Sequence, residues 1–124
     1  MRIFENLADK VNFVDEHNVV LGYDLGQCCC EHATWFIAES VRDDLLSEMD
    51  ENHKWVMQFD WDYWLFDKTF FEEKGDCDNG AIAIFRIYKD DKEYFIHLYN
   101  CHNGYYGHGF DFMVGKKKIQ DGCL

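Results

Sequence analysis

The sequence predicts an α+β domain: a mainly antiparallel β-sheet of five to seven strands with one helix, near residues 40–51, packed on it. Three observations predict it. Short β-prone runs alternate with polar turns along most of the chain. A single apolar stripe at helical spacing, Val41, Leu45 and Met49, follows Ser40 at a capping position. The chain has no proline, so its turns fall to Gly, Asn and Asp.

Residues 11–14 and 19–23 flank the polar turn Asp15-Glu16-His17-Asn18 and read as a hairpin. Residues 33–38 form a short buried element too brief for its period to separate strand from helix. In the helix that follows, Asp43 stands three residues after Ser40, Leu46 widens the apolar stripe, and Asp44, Glu48 and Glu51 fall on the other side. Residues 55–59 and 63–66 are aromatic, β-prone strands divided by Asp60 and Asp62, and residues 69–71 extend the second. Residues 72–80 read as a loop.

The last third carries the plainest pattern. Residues 81–88 and 93–101 are strands joined through Asp90-Asp91. A two-residue turn there sets Phe85 opposite Ile96 and Ala83 opposite Leu98, and puts Ile87 and Tyr94 on the same core face. Arg86, Tyr88, Phe95, His97, Tyr99 and Cys101 take the other face. Asn103-Gly104 suits a type I′ turn, whose two central residues both need φ > 0. Residues 105–114 are therefore expected to return beside 93–101. That register would bury Asp111, so a bulge near Gly107 or Gly109 is expected to turn Phe110 and Phe112 inward. Lys116-Lys117-Lys118 closes the sheet and discourages edge pairing.

At 124 residues the chain is one domain, residues 1–124. Eleven Phe, seven Tyr and four Trp supply a core from few positions and also suit flat binding faces. The net charge of −12 is lopsided: residues 1–62 hold 14 acids and 4 bases, whereas residues 63–124 hold 10 and 8. Nucleic acid needs a basic surface and is set aside as a direct ligand; an anionic membrane is set aside for the same reason. A basic protein surface, or a cation, fits the field. The first six residues have no apolar run of the signal-peptide kind, so a cytoplasmic location with reduced cysteines is expected.

The densest run of reactive side chains is Gly22-Tyr23-Asp24-Leu25-Gly26-Gln27-Cys28-Cys29-Cys30-Glu31-His32. Thiolate and imidazole are the ligands zinc prefers, so Cys28, Cys30, His32 and Cys101 are candidate metal ligands. Adjacent cysteines do not converge as a Cys-x-x-Cys pair does, and small buried residues beside the core are the plain alternative. A cysteine nucleophile is disfavoured because acidic surroundings raise a thiol's pKa. His97, Tyr99 and His108 can line a pocket with Asp24 and Glu31, as in a small hydrolase; the plain alternative is the edge of an aromatic cluster. The acidic run Asp43, Asp44, Glu48, Asp50, Glu51, Asp60 and Asp62 has only Arg42 and Lys54 against it nearby and is a candidate partner surface; a solvated helix face explains it equally. The leading reading is a non-enzymatic acidic binding module that needs no cofactor. The alternative is a metal- or thiol-dependent site built from 28–32 and 97–108.

Two stretches resemble a family of small uncharacterised proteins of bacteria and their phages. One is Gly22-Tyr23-Asp24-Leu25-Gly26-Gln27 with Cys29-Cys30-Glu31 and Trp35-Phe36-Ile37; the other is Asn103-Gly104-Tyr105-Tyr106 with Phe110-Asp111-Phe112. The resemblance implies that both motifs belong to one structural unit, and it carries over no catalytic residue. Cys28 and His32 stand outside the shared pattern. A phage or mobile-element setting would suit a small inhibitor of a nucleic-acid-binding host protein.

Overall fold

The computed structural model describes residues 1–6, 10–25, 32–41, 59–76, 80–101 and 109–124. Ten strands form in chain order: β1 (Arg2–Asn6), β2 (Lys10–Val14), β3 (Val19–Asp24), β4 (His32–Ala38), β5 (Leu65–Phe66), β6 (Glu72–Asp76), β7 (Gly80–Lys89), β8 (Lys92–Cys101), β9 (Gly109–Val114) and β10 (Lys117–Cys123). They make two antiparallel sheets. The first runs β1-β2-β3-β9-β10; the second runs β4-β8-β7-β5, with β6 also pairing with β7.

The alternation of apolar residues explains why two sheets form. Val11 and Phe13 of β2, Val19, Leu21 and Tyr23 of β3, and Phe110 and Phe112 of β9 all point from the first sheet into one core. Ala33, Trp35 and Ile37 of β4, Ala83, Phe85 and Ile87 of β7, and Ile96 and Leu98 of β8 meet them from the second. The rings interlock across the gap. Phe13 meets Trp35 edge-on at 4.8 Å, and Phe112 meets Phe85 at 5.0 Å and Phe66 at 5.2 Å. Each such pair contributes about 0.5–1.5 kcal/mol beyond its buried area. The outer face of the second sheet is buried too: Phe36, Ile82, Ile84, Phe95 and Tyr99 form a second cluster with Ala38, Val41 and Phe70 against it.

Asp15 clasps the two sheets at one end. Its carboxylate is 4% exposed. Oδ1 accepts the N–H groups of His17 and Val19, both at 2.9 Å, and Oδ2 accepts that of Phe66 at 3.0 Å. One side chain thus stiffens the β2–β3 turn and ties it to β5 in the opposite sheet. At the other end the Tyr23 hydroxyl donates to the Tyr99 carbonyl at 2.8 Å, and Asn100 Nδ2 donates to the Leu124 carbonyl at 3.1 Å.

Several expectations hold and several are corrected. The β2–β3 hairpin forms, and β7 pairs with β8 in the expected register, Phe85 with Ile96 and Ala83 with Leu98. The α+β class is overturned: the described residues are all-β, with no helix packed on a sheet. Each sheet finds its apolar cover in the other sheet, which removes the need for a helical layer between them. Ser40 is a bend and Val41 has no regular structure; the rest of the expected helix, residues 42–51, lies outside the described residues. Residues 55–58 also lie outside them, and the strand expected at 63–66 shrinks to Leu65–Phe66.

Residues 72–76, read as a loop, form β6 against β7. Lysine-rich residues 117–123, read as a closing segment, form β10 against β9. The largest correction is β9. It does not return beside β8 but crosses to the first sheet and pairs with β3. Phe110 and Phe112 face the core as expected, and Asp111 faces away from it, with no bulge needed to turn them.

Candidate functional site

The topology brings together, at one end of the sandwich, the strand ends that flank the cysteine-bearing stretches of the sequence. β3 ends at Asp24 and β4 begins at His32; β6 ends at Asp76 and β7 begins at Gly80; β8 ends at Cys101 and β9 begins at Gly109. The Tyr23–Tyr99 and Asn100–Leu124 hydrogen bonds place these strand ends of both sheets together. Every cysteine of the chain lies in a segment joining these ends, or at the strand ends Cys101 and Cys123.

His32 and Cys101 are direct register partners of β4 and β8. Cys123 is exposed and pairs with Gly109 on the first sheet, facing away from the core as its neighbour Asp121 does. Cys28, Cys30, Glu31 and His108 lie outside the described residues. Among the described residues no group of three or more His, Cys, Asp or Glu is placed to hold a metal ion.

Of the expected pocket residues, the structure describes Asp24, His97 and Tyr99. His97 is fully buried and stacks flat on Phe36 at 4.3 Å and 8°. Its Nδ1 lies 3.0 Å from the Phe95 carbonyl, the distance of an N–H donating to that oxygen. Tyr99, equally buried, joins the same cluster. Asp24 is exposed at the end of β3, in the other sheet, with Lys10 as its register partner. A buried ring on one layer and an exposed carboxylate at the end of the other do not make an acid–base pair.

The acidic surface is seen at Asp60 and Asp62, both exposed; Asp43, Asp44, Glu48, Asp50 and Glu51 lie outside the described residues. Two cations of the second half, Arg86 and Lys118, pair locally. Arg86 pairs with Asp67 at 3.1 Å and Glu93 at 2.7 Å, and Lys118 with Asp121 at 3.0 Å and Asp111 at 4.0 Å. These contacts shift the groups as charge pairing requires. The Thr69 hydroxyl, more than the nearby Arg86, holds the Asp67 carboxyl below its usual range, against the opposing pull of burial. The hydrogen bond from Arg86 to Glu93 raises the guanidinium further, and that from Lys118 to Asp121 raises the ammonium.

Sequence reasoning missed one feature of this surface. Tyr63, expected in a strand, takes φ 70° and exposes 68% of its surface. Its loop is pinned rather than loose. Trp64 Nε1 donates to the Asp60 carbonyl at 2.8 Å, the Asp62 N–H to Asp60 Oδ1 at 3.1 Å, and the Met1 ammonium to the Trp61 carbonyl at 2.7 Å. Tyr63 borders two grooves. One, of about 290 Å³, is lined by Met1, Arg2, Val14, Asp15, Glu16 and Asp62. The other, of about 480 Å³, is lined by Leu65, Tyr88, Lys89 and Asp90. The sequence signal was the alternation of acids and rings over Asp60-Trp61-Asp62-Tyr63-Trp64, which reads equally as a strand.

Comparison with protein-family models, with curated proteins and with solved structures returns no match. No described helix is long and apolar enough to cross a membrane.

Proposed function

We propose that this chain is a non-enzymatic acidic binding module that engages a basic surface on a protein partner. The observation that carries the reading is the exposure of Asp60 and Asp62 in the acidic first half, while Arg86 and Lys118 of the second half pair locally. Arg86 and Lys118 are spent on Asp67, Glu93, Asp111 and Asp121, all in residues 63–124. None of the salt bridges among the described residues takes these cations across to the acids of the first half. Residues 1–62 carry a net charge of −10, and Asp60 and Asp62 among them are exposed. A field of that kind steers and selects a basic partner and is screened by salt within roughly 10 Å at 0.1 M. The test is capture of partners from a lysate of the source cell on the immobilised chain, at low and at high salt. Basic proteins retained at low salt and released at high salt are expected; capture indifferent to salt overturns the reading.

A second reading is favoured by one observation, the register of His32 against Cys101 where β4 begins and β8 ends. Imidazole and thiolate are ligands that suit a borderline metal such as zinc. Titrating the reduced chain with Co²⁺ decides it. A thiolate charge-transfer band that reaches its limit at one equivalent, and is lost in Cys101→Ser, supports a metal centre; no such band removes it.

A further inference from the structure

We infer that the paired grooves on either side of Tyr63 form one docking trough for an extended peptide that presents an arginine next to an apolar residue. This inference rests on the basic-partner reading and assigns it a place on the surface.

The trough is divided by chemistry as well as by shape. In the smaller groove, the Asp15 carboxylate is fully occupied by three backbone N–H groups and the Met1 ammonium by the Trp61 carbonyl. Two carboxylates remain at its wall, Glu16 and Asp62, against one guanidinium, Arg2, which lies over the Phe4 ring at 5.8 Å. Neither acid forms an ion pair among the described residues. This compartment favours a cation, and the exposed Tyr63 ring beside it offers a face on which a guanidinium stacks. The larger groove is lined by Tyr63, Leu65 and Tyr88 together with Lys89 and Asp90, one charge of each sign. It favours an apolar side chain.

The molecule itself shows that these rings accept cations. Lys89 Nζ stands 5.8 Å from the centroids of both Tyr63 and Trp64. The pinned 60–64 loop presents the Tyr63 ring in place before a ligand arrives, which lowers the ordering cost of binding. Charge complementarity selects the occupant: an acidic or neutral peptide would meet Glu16 and Asp62 with repulsion or without reward.

The probe is a fluorescein-labelled octapeptide of alternating arginine and proline, whose extended form loses little entropy on docking. Binding is read by fluorescence polarisation and by amide shifts in ¹⁵N-labelled protein. Shifts are expected at Glu16, Asp62, Tyr63, Leu65 and Tyr88. Tyr63→Gly is the deciding variant. Glycine accepts φ 70° without strain, so the fold is retained or strengthened while the ring is lost. The affinity is expected to fall at least tenfold in Tyr63→Gly, and Asp62→Asn is expected to weaken both affinity and salt dependence. Binding within twofold of the native chain in Tyr63→Gly, or shifts confined to other surfaces, overturns the trough. If that binding remains salt-sensitive, the acidic reading stands without it. If neither the octapeptide nor any basic protein is captured, both fall.

Discussion

Removing the Asp15 carboxylate should loosen the sandwich more than any other single change to a polar side chain described above. Three N–H groups depend on it: those of His17, Val19 and Phe66. The His17 bond is partly exposed and water can replace it. The Val19 and Phe66 bonds are buried. An orphaned buried donor costs about 1–3 kcal/mol, so Asp15→Ala should lose about 4 kcal/mol. Asp15→Asn keeps one carbonyl oxygen. If that oxygen stays with His17 and Val19, the amide NH₂ faces the Phe66 N–H, and the link between sheets fails alone, at about 2 kcal/mol. Urea unfolding followed by tryptophan fluorescence reads the loss as a lower midpoint with an unchanged slope. Amide exchange then separates the two parts: in Asp15→Asn the Phe66 amide should lose protection while the Val19 amide keeps it. An Asp15→Ala variant within 1 kcal/mol of the native chain would refute the clasp, as would an Asp15→Asn variant in which Phe66 stays protected.

Tyr23→Phe removes the buried hydroxyl that reaches the Tyr99 carbonyl at 2.8 Å and should cost about 1–2 kcal/mol, measured by the same unfolding. A Cβ at Gly122 would meet the Phe110 ring at 2.9 Å, so Gly122→Ala should cost about 1–3 kcal/mol; a neutral result means that the ring yields. Thr69→Val should remove the main cause that depresses the Asp67 carboxyl below 3.8. A depressed carboxyl stabilises the fold above its unfolded pKa and loses that support as pH falls through the folded value. The difference between Thr69→Val and the native chain should therefore be present at pH 7, at most about 1 kcal/mol, and vanish in acid; a difference that is constant with pH contradicts the assignment.

Where pairing is local, the sequence was readable. The Asp90-Asp91 turn allows one register for β7 and β8 that keeps Ala83, Phe85, Ile96 and Leu98 on one face, and Asp90 duly takes φ 55°. Where pairing is between distant segments, it was not. Alternation in β9 shows that Phe110 and Phe112 share a face but not which sheet receives them. The burial of Asp111 that a place beside β8 would impose signals a different neighbour, β3, rather than a bulge. Strands β6 and β10 carry too few apolar residues to betray themselves, since each lies beside only one strand and is half solvated. The candidate site followed the same rule: the lopsided charge was visible at once, but Tyr63 and its grooves arise from a left-handed residue that no local pattern announces.

Amino-acid order alone determined the β-rich core residues, the two local hairpins and the uneven negative field, because each depends on neighbours within a few residues or on composition. Only the tertiary structure decided that two sheets cover each other, that His97 is sealed against Phe36, and that Asp15 bridges the layers. Those outcomes depend on which apolar face meets which, and contacts between segments far apart in the chain leave no periodic trace along it.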